Sequence, residues 1–474
     1  MQNNGNSDVL LYVSNLKKYF EINNGFRTSG FVRALDGATF ALRRGETIGV
    51  VGETGCGKTT LGRTLLGLLK ATDGDVYFDL PADLMSTIMQ QEDRYYRLLS
   101  KQTLSDSEKG ELSSLKESLR KLRKEHSLTR MKERRLKRFR SKFQPIFQDP
   151  FSSLDPRKLI KDSIAEPMKL LTDMKSSEIL DKEKVLIESI GLSEDHLYRF
   201  PHEFSGGQRQ RIVIARAISI DPMLLVLDEP TSALDVSVQA QILNILKEIQ
   251  ERNGLSYIFI SHHLSVIRVM ADRVAVMYLG QIVELAATGA LFSDMLHPYT
   301  RVLLSAIPVP DPRRKRERIV LEGEIPSPAN PPKGCYFHSR CPVAMVNCGW
   351  SPRDMADPLK HMLDRSRNVE AEQLPEVKEI ILDEAENEIE VVFETTLNEI
   401  GLGLFNDLVK KEAGLNTGVR FGAIKSVERN QEGDGVVIKM IAPDVPTLKQ
   451  VRPEHYVSCL IYDVEGWDRK VIHA

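Results

Sequence analysis

A chain of 474 residues has room for two to four domains with a large buried core. Its 64 basic and 66 acidic residues leave a formal net charge of −2, which excludes a global electrostatic bias toward nucleic acid or anionic membrane, and 42% apolar with 27% charged residues is ordinary for a water-facing globular protein. No apolar run approaches the ~18 residues of a membrane crossing, and the opening "MQNNGNSDVL" has neither the basic nor the apolar region of a leader, so the expectation is a cytosolic protein that meets a membrane only through partners.

Residues 10–70 read as strands, a glycine turn and a helix. "ETIGVVG" is a short apolar, β-branched strand, Gly52 to Gly57 is the turn, and "KTTLGRTLLGLL" has helical spacing. Residues 85–142 change character: Leu112, Leu115, Leu119 and Leu122 recur at three- and four-residue intervals amid dense Lys and Arg, which predicts a basic amphipathic helical segment or hairpin. The plain reading is a solvated insertion with one face on its neighbour, and the sharper one is contact with anionic lipid headgroups or a partner. Residues 143–300 alternate apolar strands ("MLLVLDEP", "SYIFISHH") with helices ("VQAQILNILKEIQ"), the pattern of a parallel sheet covered on both faces. The run from Gln208 to Ile218 reads as one helix. Residues 308–332 are proline-rich and read as an extended connector. Residues 375–445 look like a small extra α/β unit, with "EIEVVFE", "GVRFGAIKSV" and "GVVIKMI" as strands and "LNEIGLGLFNDLVKKEA" as a helix.

Gly52, Gly57, Lys58 and Thr59 fit the phosphate-loop pattern G-x-x-x-x-G-K-[ST]. Glycines let the backbone wrap phosphates, Lys58 would neutralise their β and γ oxygens, and the Thr59 hydroxyl would bind Mg²⁺. "LLVLDEP" ends a buried strand with Asp228 and Glu229, one carboxylate placed to hold Mg²⁺ and its neighbour to polarise an attacking water. "SGGQRQR", Ser205 to Arg211, is a second glycine turn opening a helix, and such a turn is itself an anion cradle.

"SGGQRQR", followed by "LLVLDEP" and "SALD", resembles the nucleotide-binding subunit of an ATP-binding cassette (ABC) transporter. The other motifs fall in the family's order: Gln148 in "IFQDP" matches the glutamine loop, His262 in "ISHH" the switch histidine, and Phe20 in "LKKYF" the aromatic that stacks on adenine, with Tyr19 as the alternative. The resemblance implies an α/β fold: a P-loop NTPase core with a helix-flanked parallel sheet, an antiparallel β subdomain and a helical subdomain. It also implies head-to-tail pairing of two ATPases, in which the turn Ser205, Gly206, Gly207, Gln208 faces the ATP held by the partner's phosphate loop. By motif position the phosphate loop is Gly52, Glu53, Thr54, Gly55, Cys56, Gly57, Lys58, Thr59 and Thr60, with Cys56 touching nucleotide through its backbone alone. Glu229 is the expected catalytic carboxylate and His262 its companion, Thr59, Gln148 and Asp228 surround Mg²⁺, and Asp235 in "SALD" lies at the dimer seam. His263 stands where the family has aspartate and is assigned no catalytic part.

"FQDPFSSLDPR", "LHPYTRVLLSAIPVPDP" and "LEGEIPSPANPPKGCYFHSRCP" narrow the resemblance to the oligopeptide/dipeptide importers, most like the F-type ATPase subunit, over residues 8–75, 143–349 and 450–465. The implied domains are an ATPase over 1–300 (basic insertion at about 85–142, helical subdomain at about 150–215), a cysteine-containing C-terminal domain over 301–349 and 450–474, and an inserted unit of unassigned role over 351–449. Cys335-x5-Cys341-x6-Cys348 lacks the close pairing of most zinc sites. With Cys459 as the fourth cysteine the resemblance implies a [4Fe–4S] cluster, zinc and plain buried thiols being the alternatives. The implied partners are a second, D-type ATPase, two membrane permeases and, through them, an extracytoplasmic substrate-binding protein, with the chain peripheral at the cytoplasmic face of the membrane. The other readings are a soluble ABC ATPase acting on nucleic acid or the ribosome, which the basic helix favours, and a redox-sensing module built on the cysteines.

Overall fold

The computed structural model describes residues 8–24, 27–101, 103–305, 319, 321, 323–369, 374–415 and 419–464. They divide into two units, Met1–Asp294 and Met295–Ala474. Much of the proline-rich connector, and residues 465–474 of the expected C-terminal domain, lie outside the described residues.

The first unit opens with four strands, β1 (Val9–Asn24), β2 (Arg27–Arg43), β3 (Thr47–Val51) and β4 (Asp73–Phe78). An antiparallel sheet takes the order β2-β1-β4. β3 belongs to a second sheet with β5 (Phe143–Ile146), β6 (Leu224–Asp228), β7 (Ser256–Ile260), β8 (Arg273–Tyr278) and β9 (Gln281–Ala287). Within this unit its order is β9-β8-β3-β7-β6-β5, parallel throughout except for β9. Every residue of β3, β6, β7 and β8 is buried, as continuous apolar runs require of central strands covered on both faces.

Helix α1 (Lys58–Leu65) follows the glycine turn. It stops short of the spacing-predicted Leu69 because Gly67 takes φ +68°, a left-handed conformation that ends a helix. The basic segment folds as α2 (Ala82–Leu99), α3 (Asp106–His126) and α4 (Glu133–Arg140). After β5 come α5 (Pro150–Ser153), α6 (Ile160–Leu171), α7 (Ser176–Ser189) and α8 (Gly206–Ile218), and then α9 (Val236–Asn253), α10 (Leu264–Met270) and α11 (Thr288–Ser293).

The leucine stripe of α3 is real: Leu119 is fully buried, and Leu112, Leu115 and Leu122 are half-buried. Met85 and Ile88 of α2 pack with Val9, Tyr12 and Tyr77 of the antiparallel sheet, and Leu122 leans on that cluster. A buried ionic network locks the insertion down. The Glu92 carboxylate, with no exposed surface, accepts from Ser14 Oγ (3.2 Å), Tyr77 Oη (2.8 Å), Arg123 Nε (3.0 Å) and Arg123 Nη2 (2.6 Å). Arg123 also meets Asp75 (3.1 Å), which Arg130 Nε reaches at 2.6 Å. Burial, then Glu92, raises the Tyr77 pKa, so its hydroxyl stays a donor. Removing one member of a buried charged network strands the others. Arg123→Ala is therefore expected to cost about 3–5 kcal/mol in denaturant unfolding, whereas Arg120→Ala, which breaks only the exposed pair with Glu117, should leave the midpoint where it is.

The second unit holds α12 (Pro298–Ser305), a cysteine-bearing coil, α13 (Pro352–Val369), β10 (Val377–Asp383), β11 (Glu388–Phe393), α14 (Glu399–Ala413), α15 (Val419–Gly422), β12 (Ile424–Arg429), β13 (Gly435–Met440), β14 (Lys449–Arg452) and β15 (His455–Val457). Its antiparallel sheet runs β10-β11-β13-β12. One expectation changes. "GVRFGAIKSV" is half helix: α15 comes first, and the strand starts only at Ile424. Trp350 of the cysteine coil belongs to the same core as Phe393, Phe405 and Ile438 of the inserted unit. Asn347 Nδ2 donates to Asp444 Oδ2 at 2.7 Å, and Arg420 lies over the Trp350 ring.

Candidate nucleotide site

The first unit's chemistry gathers at the C-terminal ends of neighbouring parallel strands, where α/β sheets bind ligands. Gly52 after β3 has no room for a side chain, since a Cβ would stand 2.2 Å from the Met277 carbonyl oxygen and 2.6 Å from Cys56 Sγ. Gly57 caps α1 at φ +103°. Glu53, Thr54 and Gly55 form the open part of the turn, while Cys56 is buried and burial pushes its thiol pKa up. Lys58 curls into the loop and donates from Nζ to the carbonyls of Gly52 (2.9 Å) and Glu53 (3.0 Å). Thr60 lies in the first turn of α1 and its carbonyl accepts from Thr64 Oγ1.

Thr59 Oγ1 donates to Asp228 Oδ1 at 3.2 Å, which joins α1 to the end of β6. Burial raises the Asp228 pKa above the ordinary carboxylate range; the Thr59 hydroxyl opposes this, Glu229 adds to it, and Arg63 and Lys58 pull it back. Glu229 takes φ +50°, a left-handed conformation costing on the order of 1–2 kcal/mol for a residue with a Cβ. Its amide is held by the Ile260 carbonyl at 3.0 Å, and its Oε1 lies 2.9 Å from His262 Nδ1. The rings of His262 and His263 stand 4.0 Å apart, and burial followed by His262 lowers the His263 pKa. Gln148 joins Thr59 and Asp228 around one cavity of about 740 Å³ that continues to Leu68 of the α1 turn and Arg216 of α8. Sequence reasoning passed over Arg63 in that lining, although it sits four residues after Thr59 on the same helix face.

Of the two aromatics in "LKKYF", the Tyr19 hydroxyl is committed to Asp36 Oδ1 (2.5 Å), whereas Phe20 stands 38% exposed. The Ser205 turn forms a capping box, Gln208 N donating to Ser205 Oγ (3.3 Å) and Ser205 N to Gln208 Oε1 (3.0 Å). Ser205 is exposed and Gly206 half-buried, but Gly207 is buried, and a Cβ there would lie 2.4 Å from Val238 Cγ1 of α9. Asp235 caps α9, accepting from Ser237 N (3.1 Å), Ser237 Oγ (2.6 Å) and Val238 N (3.0 Å), and the Ser237 hydroxyl leads these in lowering its pKa.

Residues 35–232 match the ABC transporter family, and residues 283–348 match the oligopeptide/dipeptide transporter C-terminal region. The chain is 46% identical to the oligopeptide transport ATP-binding protein AppF of Bacillus subtilis over 348 residues, 72% of this chain and 92% of the relative. The chain belongs to the ABC transport ATP-binding proteins of the oligopeptide/dipeptide branch. Other members of this branch are the oligopeptide transport ATP-binding protein OppF of Escherichia coli (42% over 347 residues, 72% of this chain and 90% of the relative) and the dipeptide transport ATP-binding protein DppF of Haemophilus influenzae (43% over 340 residues, 72% and 90%). The chain is thus an ABC ATPase. These three relatives are named for oligopeptide or dipeptide transport, and the alternative reading as an ATPase acting on nucleic acid or the ribosome is not supported. No helix among the described residues is long and apolar enough to cross a membrane.

In the second unit, Cys335, Cys341, Cys348 and Cys459 line one cavity of about 10 Å³, walled by Phe337 and Ile461. Cys335 N donates to the Cys348 carbonyl (2.8 Å), and Cys348 Sγ accepts from Met345 N (3.2 Å). Burial, then Cys459, pushes the Cys335 thiol up to about 12, and burial raises Cys341 and Cys348 as well. Among the described residues no three His, Cys, Asp or Glu side chains stand ready as a metal site. The expected cluster ligands therefore share one small cavity but form no open ligand cage.

Proposed function

We propose that this protein is the ATP-hydrolysing subunit of a peptide importer, peripheral at the cytoplasmic face of the membrane and working with a second, D-type ATPase and two permeases, which receive cargo from an extracytoplasmic binding protein. The observation that carries the ATP site is the meeting of Thr59–Asp228 and Glu229–His262 at adjacent strand ends. Lys58 and the glycine-turn amides hold the phosphates, and Phe20 offers an exposed ring for adenine. Thr59, Asp228 and Gln148 supply only oxygen donors around one cavity, a set suited to Mg²⁺, whose charge when bound offsets that of the phosphates. Glu229 takes the proton of the attacking water, and its left-handed backbone and the His262 contact hold the carboxylate at the strand end. The exposed Ser205 turn is left to a partner's ATP, and Asp235 to the dimer seam. Loss of the γ-phosphate removes charge from between the two faces and lets them part. The cavity beside Gln148 is the seat for a permease segment.

The complex purified from native membranes should bring two permease subunits and a second ATPase with it. Recovery on ribosomes or nucleic acid instead would overturn the transport reading. A further group is proposed on the sulfur chemistry alone: four thiols, one of them 111 positions beyond the third, line one small cavity that no described carboxylate lines and that must widen to admit a metal group. Such a sulfur donor set suits a [4Fe–4S] cluster, an electron-accepting group when bound. Anaerobically purified protein is expected to show visible absorption that dithionite bleaches and Cys335→Ser abolishes. Colourless protein with stoichiometric zinc would reject iron.

A further inference from the structure

We propose that α4 is a membrane-surface contact, a basic helix face resting on anionic lipid headgroups beside the permease seat. On its inner side Leu136 reaches Gly67, its Cδ2 3.1 Å from where a Cβ would be, and Phe139 meets Phe78 edge-on with ring centroids 6.5 Å apart. The other side is cationic. Lys132, Arg134, Lys137 and Arg138 are exposed and make no ion pair with a described residue, and exposed Arg135 donates only to the Glu125 carbonyl. Glu133, the helix's one acid, is taken by Arg140 at 2.5 Å. Elsewhere in the insertion most cations are matched, as in Arg94–Glu111, Lys101–Glu108, Lys109–Asp106 and Arg120–Glu117, with Lys116 and Lys124 as scattered exceptions. In a chain of net charge −2, this concentration of unbalanced charge is local to α4.

Position gives the charge its occupant. Gln144 Nε2 donates to the Arg140 carbonyl at 2.7 Å, tying the end of α4 to β5. Gln144 and Leu68 both line the 740 Å³ cavity, so α4 sits on that cavity's rim. The inference rests on the reading of that cavity as the permease seat, since a permease fixes which side faces the bilayer. The free cations spread over an open helix face, and none of them lines a described cavity that would orient one particular acidic segment. A diffuse field of that kind matches a sheet of anionic headgroups, where each added cation raises partitioning about fivefold.

The test is sedimentation of the full-length chain with vesicles of phosphatidylcholine alone or with phosphatidylglycerol. Binding to the anionic vesicles is expected at low salt, with release at high salt as screening shortens the field. Lys132→Gln, Arg134→Gln, Lys137→Gln and Arg138→Gln together should weaken it by at least about tenfold, with ATP turnover in solution unchanged. Equal binding to both vesicle types, or undiminished binding by the fourfold variant, would overturn the proposal. So would a variant that keeps vesicle binding but fails to assemble with detergent-purified permeases, because α4 would then be reading a protein acid. No permease is present in the vesicle assay, so its failure leaves the cavity reading standing; that reading falls separately if cross-linkers placed at Ser152 capture no permease in the native complex.

Discussion

Glu229→Gln is expected to lower steady-state phosphate release by about 100-fold or more while ATP still binds. The amide has the carboxylate's shape and can keep the 2.9 Å contact with His262 Nδ1, but it cannot take a proton from water. With the γ-phosphate uncleaved, the charge between the two ATPases persists, and the Mg–ATP-bound pair should elute as a stable dimer. Turnover at the original rate would show that another group activates the water. A variant that no longer binds ATP would show that Glu229 holds the fold of the strand end, where its backbone takes φ +50° and its amide is tied to Ile260.

Gly207→Ala should be nearly as damaging, for a reason unrelated to contact with phosphate. The new methyl would come 2.4 Å from Cγ1 of Val238, a β-branched side chain with little rotamer freedom. Helices α8 and α9 must then separate, at a cost of about 1–3 kcal/mol. Ser205 caps α8 and Asp235 caps α9, so the separation displaces both ends of the surface offered to the partner. ATP-driven dimerisation should be lost. Val238→Ala in the same chain removes the clashing methyl and should restore both the unfolding midpoint and dimerisation. Recovered stability without recovered dimerisation would mean that the Gly207 backbone touches nucleotide at a distance no methyl tolerates.

The gathering of the candidate site's residues was legible because its signals are local. Glycines at the positive-φ positions 52, 55 and 57 and apolar runs ending in Asp228 and His262 announce themselves within a few residues. The work of Gly207 was only half legible: the turn reads as a phosphate cradle, but its crowding by Val238 comes from a helix that begins at Val236. Glu92 was invisible as a network centre, since its partners Ser14 and Arg123 lie 78 and 31 positions away. In the inserted unit, "GVRFG" carries apolar spacing that suits strand or helix equally, and packing against Trp350 and Phe405 decides for helix. α13, which the charged sequence "PRDMADPLKHMLDRSRNV" hardly advertises, contributes Met355, Leu359, Met362 and Leu363 to the core at helical spacing. The grouping of the four cysteines came from family resemblance, because their sequence separations alone do not bring Cys459 to the others.

The central claim is that the exposed Ser205 turn closes over a partner's ATP. It is tested most directly by placing a cysteine at Ser205 in the Glu229→Gln chain and following its alkylation by mass spectrometry in the presence of the partner ATPase. The account predicts rapid labelling without nucleotide or with ADP and strong protection with Mg–ATP. Equal labelling in all three conditions, with ATP demonstrably bound, would contradict it.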